Sequence, residues 1–119
     1  MRVVVYRNLN LGHWSVAEVS GRSGRGRVIG HVKQITLADV TFHLQPAAAC
    51  KVARGEHRSV HAWAVGTIIA EGIGPETEIA YNPKKRPQWL FFHTADGRRV
   101  DRAAMVKFTT DERCFGVCL

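Results

Sequence analysis

Hydrophobic and polar residues alternate in short stretches along most of the chain, and a two-residue period is typical of β-strands with one buried face. Residues 2–7 are β-branched and aromatic, and residues 13–19 alternate clearly. Residues 36–44 alternate most strongly, but their hydrophobic set changes phase near Asp39, which predicts a bend or a β-bulge there. The pattern therefore predicts a series of short strands.

The most apolar segment is V-H-A-W-A-V-G-T-I-I-A at residues 60–70, where we expect a central strand. The segment A-D-G at 95–97 is typical of a hairpin turn between two strands. The last residues, 109–119, favour no single element. Further strands are predicted at residues 28–35, 78–81, 89–94 and 98–108.

Two segments interrupt the strand pattern. Residues 20–27, S-G-R-S-G-R-G-R, combine glycine with arginine, which predicts a long, mobile hairpin loop. Pro46 precedes A-A-A-C-K-V-A-R, and proline in the first turn is typical of a helix N-terminus. We therefore expect one short helix inserted after about residue 45.

These elements predict an α+β domain that is mainly β. Seven to eight short strands would form an antiparallel curled sheet or a partly open barrel, with the single helix inserted. A length of 119 residues is typical of one domain, so we expect a single ligand-binding domain over residues 1–119.

The charge and the cysteine content of the chain limit the classes of partner and the cellular location that we expect. The net charge of +7 favours polyanions or phosphorylated ligands. The three cysteines are an odd number without disulfide-framework spacing, which favours reduced thiols and a cytoplasmic location. The N-terminal apolar run is too short for a signal peptide and no segment is long enough to span a membrane, so we expect no membrane partner.

His57 and His61 are the clearest metal candidates, because ligands four residues apart on a helix lie on one face. The predicted break from helix to strand between them removes that geometry, and no acidic partner follows. We therefore expect no metal and no cofactor at this segment, but the lip of an anion site. No recognisable arrangement of nucleophile and base is present, so we expect a protein without enzymatic activity.

Arginine and lysine alternate with aromatic residues in several clusters. Arginine can bind phosphate through two parallel hydrogen bonds, and an aromatic ring can stack on a nucleobase. The alternative is that each cluster is an ordinary solvated surface. The predicted ligand-binding residues are Arg54, Arg58, Asn82, Trp89, Arg98, Arg99 and Arg102.

Five stretches resemble a group of small phage and prophage proteins, in the same order along residues 4–83. They are V-Y-R-N-L at 5–9, G-R-V-I-G-H-V at 26–32, L-A-D-V-T-F at 37–42, V-H-A-W-A-V-G at 60–66 and Y-N-P at 81–83. This group is identified with the Thoeris anti-defence type 1 sponge family. After residue 83 the resemblance fades, because P-K-K-R-P-Q-W replaces the usual aromatic continuation.

The resemblance implies a protein that sequesters cyclic ADP-ribose isomers or cyclic oligonucleotides without cleaving them. It also implies self-association, from dimers into hexamers. In that family the pocket contains an arginine shortly after the helix, a stacking aromatic residue, an asparagine and a C-terminal arginine. Arg54 and Asn82 match these positions locally, whereas Trp89 and Arg102 are assigned where the resemblance has faded.

The sequence therefore predicts a non-enzymatic phage counter-defence protein that binds and sequesters a cyclic nucleotide immune signal. The alternative is a basic nucleic-acid-binding module, such as an anti-CRISPR-like inhibitor, because the same +7 charge would serve it.

Overall fold

The computed structural model describes residues 1–8, 13–44, 62–70, 77–79, 92, 94, 98–109 and 113–118. Eight strands occur within these ranges. They are β1 (Arg2–Asn8), β2 (His13–Ser20), β3 (Gly24–Val32), β4 (Ile35–Leu44), β5 (Ala62–Ile68), β6 (Thr77–Glu78), β7 (Arg102–Phe108) and β8 (Cys114–Cys118).

All eight strands belong to one sheet, in the order β3-β2-β1-β5-β4-β7-β8-β6. Every pairing in this sheet is antiparallel. The predicted mainly β, antiparallel architecture is therefore confirmed. The predicted helix after residue 45 lies outside the described residues, and so does the second half of the predicted strand at 78–81.

The predicted central strand is confirmed as β5, which pairs with β1 on one side and with β4 on the other. Val65 is buried and lies opposite both Val4 of β1 and Thr41 of β4. A strand that is paired on both edges and packed on both faces is expected to be almost continuously apolar, as this segment is.

The sheet curls strongly about one face. β2 and β7 are four positions apart in the sheet, which would separate them by about 19 Å if the sheet were flat. Instead, the rings of Trp14 in β2 and Phe108 in β7 meet edge to face at 4.8 Å. Trp14 Nε1–H also donates a hydrogen bond to the carbonyl oxygen of Thr109, at 2.8 Å. The predicted curl is thus confirmed, and the face that carries Trp14 and Phe108 is concave.

The concave face holds the main hydrophobic core. Its largest fully buried side chains include Phe108 and Leu37, and most strands contribute to it. The hydrophobic cluster on this face contains Val3, Val5, Trp14, Val16, Leu37, Val40, Phe42, Ala64, Ile79, Val100, Ala103, Val106, Phe108 and Cys114.

The predicted irregularity near Asp39 is confirmed. Asp39 has a φ of 52°, in the left-handed region, and the pairing of β4 with β5 shifts between Ala38 and Thr41. The bend follows from the change of hydrophobic phase, because Leu37 and Val40 are both buried although they are three residues apart.

The predicted long, mobile loop at residues 20–27 is wrong. The turn comprises only residues 21–23, and β3 already begins at Gly24. Gly21 has a φ of 66°, a conformation that glycine adopts without strain, which explains why a glycine occupies this position. At Gly26 a Cβ atom would lie 2.8 Å from the carbonyl oxygen of Glu18, so the third glycine permits close pairing of β2 with β3. The glycines serve a tight hairpin and not a flexible tip.

The C-terminal third differs in detail from the predicted strands. Thr94 N–H donates to Arg98 O and Val100 N–H donates to Phe92 O, which is the pairing expected on either side of the predicted turn. The strand that follows begins at Arg102 and not at residue 98. Strand β8 lies in the segment for which the sequence favoured no element. In the described part of the chain, no helix is both long and apolar enough to cross a membrane.

Candidate ligand-binding site

The convex face of the sheet carries a second, smaller hydrophobic cluster. Val4, Ala17 and Val65 are fully buried there, and Tyr6, Val19 and Trp63 pack against them. Tyr6 and Trp63 are only half-buried, so aromatic rings contribute to the accessible surface of this face. We call this surface the outer face.

Arg25 of β3 covers both aromatic rings of the outer face. Its guanidinium carbon lies 5.0 Å from the centre of the Trp63 ring and 5.9 Å from that of Tyr6. Cations within about 6 Å of a ring centre are attracted by its negative face. Trp63 Nε1–H also donates a hydrogen bond to the carbonyl oxygen of Ser23, at 2.7 Å. The turn between β2 and β3 is therefore fastened onto the central strand.

The reach of β3 over the outer face has a local cause. Between the pairs Val16–Gly30 and Ala17–Val28, β3 advances two residues while β2 advances one. A second extra residue of β3 follows before the pair Val19–Arg25. Bulges bend the strand that carries them and increase its twist. Two bulges in one edge strand explain how Arg25 reaches rings on β1 and β5.

His43 of β4 extends the aromatic surface. It is paired directly with Trp63, and the two rings are nearly parallel, with an interplanar angle of 24° and centres 6.1 Å apart. His43 Nε2 shares a 2.8 Å hydrogen bond with Oγ1 of Thr41. Burial lowers the pKa of His43, and the positive charge of Arg2 lowers it further. In the ligand-free protein, the imidazole of His43 is therefore neutral over a wider pH range than that of an ordinary histidine.

Arg102 lies on the outer face as well. It is paired directly with Thr41 across β4 and β7, and its side chain is exposed. Thr41 is in turn paired with Val65 of the outer-face cluster. Arg102 is thus the predicted site residue that shares a face with Arg25, Trp63 and His43.

Most other arginines whose contacts the structure describes are neutralised by carboxylates. Arg2 pairs with Asp39 at 3.7 Å, Arg27 with Glu18 at 3.1 Å, Arg99 with Asp101 at 2.7 Å and Arg113 with Glu78 at 2.7 Å. Within the described ranges, neither Arg25 nor Arg102 has a carboxylate partner. Nε of Arg25 is buried and has no hydrogen-bond acceptor in that part of the chain. The outer face therefore presents two arginines whose positive charge is not locally balanced.

The remaining predicted site residues are distributed differently. Arg54, Arg58, Asn82 and Trp89 lie outside the described residues, as do His57 and His61. Arg98 and Arg99 lie in the segment that precedes β7, and Arg99 is engaged by Asp101. Tyr6, Arg25, His43 and Trp63 were not predicted as site residues. A tryptophan within the most apolar strand, at Trp63, was the available signal for this site.

The outer face combines cationic and aromatic groups. Ser15 Oγ shares a 3.0 Å hydrogen bond with His31 Nδ1, but Ser15 is fully buried and cannot be reached by a substrate. Among the described residues, no group of three or more His, Cys, Asp or Glu side chains could hold a metal ion. Guanidinium groups, aromatic rings and an imidazole together suit an anion that carries a planar ring.

Comparison with known proteins places the chain among phage proteins. A family model described as the Mycobacterium phage L5 gene 82 protein matches residues 1–116. The gene 82 protein of Mycobacterium phage L5 is 31% identical over 103 residues, which cover 79% of this chain and 80% of that protein. No solved structure matches significantly. The predicted relation to small phage proteins is confirmed at this level, and the chain belongs to the Mycobacterium phage L5 gene 82 protein family.

Proposed function

We propose that this phage protein binds and sequesters a cyclic nucleotide immune signal in the host cytoplasm, without catalysing a reaction. The ligand is a cyclic ADP-ribose isomer or a cyclic oligonucleotide, and it binds on the outer face. The observation that carries the proposal is the guanidinium of Arg25, which is held on the rings of Trp63 and Tyr6 with no carboxylate partner among the described residues.

Arg25 and Trp63 supply what a nucleotide requires. A guanidinium donates two parallel hydrogen bonds to a phosphate, and an aromatic ring stacks on a base. Nε of Arg25 is buried and has no acceptor among the described residues, so hydrogen bonds to a ligand phosphate must come from the rest of the guanidinium group.

Arg102 supplies a second anion contact. Its strand lies two positions from the strand of Trp63, which corresponds to about 10 Å in the plane of the sheet. A ligand with two phosphate groups and a base between them can reach both arginines across Trp63 and His43. This favours a ligand of dinucleotide size over a mononucleotide.

The proposal retains the residues predicted from the sequence outside the described ranges. Arg54 and Arg58 contact phosphate, Asn82 contacts a base or ribose edge, and Trp89 stacks on a base. Association of the chain into dimers and hexamers brings further surface onto a small ligand, which tight retention requires.

A capture experiment tests the function. The protein is incubated with the product of a TIR-domain defence enzyme, separated from unbound nucleotide, denatured, and examined by mass spectrometry for the released ligand. We expect the intact nucleotide to be recovered from the wild-type protein and from Arg27→Ala, since Arg27 is already paired with Glu18. Recovery of a cleaved nucleotide, or of none, would contradict sequestration.

The alternative function, nucleic-acid binding, rests on the net charge of +7. Binding to DNA or RNA releases condensed counterions, so its affinity falls steeply with salt concentration. A nucleotide held by a few buried contacts depends much less on salt. A steep decrease in the affinity for oligonucleotides together with no binding of cyclic nucleotides would favour the alternative.

A further inference from the structure

We propose that His43 couples ligand binding on the outer face to uptake of a proton. In this account His43 is neutral in the free protein and becomes an imidazolium that contacts the bound anion. The inference rests on the proposed function, since it concerns how the same surface holds its ligand.

The position of His43 makes this contact available. Its ring lies alongside Trp63, 6.1 Å from centre to centre, on the side of the central strand away from β1. Nε2 is engaged by Thr41 Oγ1, so Nδ1 is the nitrogen left to face a ligand. A phosphate placed beside the Trp63 ring would lie within reach of this nitrogen.

The ionisable groups that share the outer face with His43 come from four strands. β1 contributes Arg2 and the phenol of Tyr6, β3 contributes Arg25, and β7 contributes Arg102, which lies opposite the hydrogen-bond partner of His43. The nearby acid is Asp39 of β4 itself, and it is engaged by Arg2 at 3.7 Å. The local charge is therefore positive, and it opposes protonation of the imidazole.

An anion reverses this balance. The pKa of His43 is lowered by burial and then by Arg2, and a phosphate placed beside the ring adds a negative charge that raises it again. If the anion increases the affinity of His43 for a proton, protonation increases the affinity for the anion by the same factor. Binding must then tighten as the pH falls through the range in which His43 titrates.

Isothermal titration calorimetry tests the coupling with cyclic di-AMP as the probe. A phosphodiester is suitable because it keeps its charge, whereas a phosphate monoester itself titrates near about pH 6. Titrations are performed at about pH 5.5 and about pH 8, which lie on either side of ordinary histidine titration. The titrations are repeated in buffers of different ionisation enthalpy, and the dependence of the binding enthalpy on the buffer gives the number of protons taken up.

The matched variants are His43→Gln and His31→Gln. Both histidines are hydrogen-bonded to a hydroxyl group of the outer face, but His31 pairs with the buried Ser15 and is not beside Trp63. For the wild type and His31→Gln we expect proton uptake and affinity about tenfold higher at the lower pH, the effect of a one-unit change in pKa. His43→Gln should lose both the proton uptake and the pH dependence.

The outcomes separate the two proposals. If the wild type binds with an affinity that Arg25→Ala reduces, but without proton uptake or pH dependence, the role of His43 is wrong and the site stands. The role of His43 is equally wrong if His43→Gln keeps the pH dependence of the wild type. If cyclic di-AMP does not bind, the role of His43 toward a phosphodiester is wrong, whereas sequestration is decided by the capture experiment. If Arg25→Ala binds cyclic di-AMP as tightly as the wild type, the outer face is not the site and both proposals fall.

Discussion

Asp39 joins backbone conformation and charge in a single residue. Its φ of 52° places it in the left-handed region, which aspartate tolerates better than most residues because its short side chain can bond locally. Its carbonyl oxygen accepts a hydrogen bond from Arg2, and its carboxylate forms an ion pair with the same guanidinium. The change of hydrophobic phase was enough to predict a bend at this residue, because the bend is what allows Leu37 and Val40 to share one core.

Substitution of Asp39 separates conformation from charge. We expect Asp39→Gly to change the free energy of unfolding by less than about 1 kcal/mol, because an exposed ion pair contributes about 0–1 kcal/mol. Asp39→Val should cost about 1–2 kcal/mol more, because a β-branched residue strongly disfavours positive φ. Urea unfolding measures both variants. Equal stability of the two would show that the conformation of Asp39 carries no energetic cost.

The β2–β3 hairpin has a bent, bulged conformation that the sequence pattern did not predict. Glycine and arginine between two strands are typical of a solvated loop, and residues 20–27 have the composition of such a loop. The two bulges that bend β3 depend on how its backbone pairs with β2, and residues 24–30, G-R-G-R-V-I-G, have no hydrophobic alternation whose change of phase could reveal extra residues. Arg25 was therefore expected to be in solvent, whereas it lies on Trp63.

Gly26→Ala tests whether the bulged hairpin positions Arg25. A Cβ atom at residue 26 would lie 2.8 Å from a backbone carbonyl oxygen, so the hairpin must shift. We expect a loss of stability of about 1–3 kcal/mol, as for overpacking in general, together with weaker ligand binding.

Gly30→Ala is the matched control, because it is in the same strand and its Cβ would meet no atom within 4 Å. Unfolding curves and calorimetric titrations on the two variants provide the comparison. If Gly26→Ala and Gly30→Ala behave alike in both measurements, close pairing at residue 26 does not position the site.

At the scale of the whole molecule, the strands were predictable but their neighbours were not. Alternation is local, and it identified most strands from residues 2 to 68. The order β3-β2-β1-β5-β4 pairs β5 with the distant β1 as well as with β4, and only tertiary packing decides the pairing with β1. The outer-face site combines residues of β1, β3, β4, β5 and β7, so it could not be found from any one segment.

The curl of the sheet depends on a contact between strands that are far apart in it. We expect Phe108→Ala to lower the free energy of unfolding by about 3–5 kcal/mol, because the ring is fully buried and packs on Trp14 across the concave face. Val28→Ala, with a side chain that is 43% exposed, should change it by less than about 1 kcal/mol. Chemical denaturation checks both, and similar losses would contradict this description of the core.

In the proposed complex, Arg25 on the outer face binds a phosphate of the ligand. Calorimetric titration of the wild type and of Arg25→Ala with cyclic di-AMP tests this contact. Loss of a charge-assisted hydrogen bond costs about 1.5–3 kcal/mol, so we expect affinity to fall by about ten- to over a hundredfold. Arg25→Lys should recover only part of this loss, because an ammonium group cannot form the planar fork. Unchanged affinity in a folded Arg25→Ala protein would contradict the account.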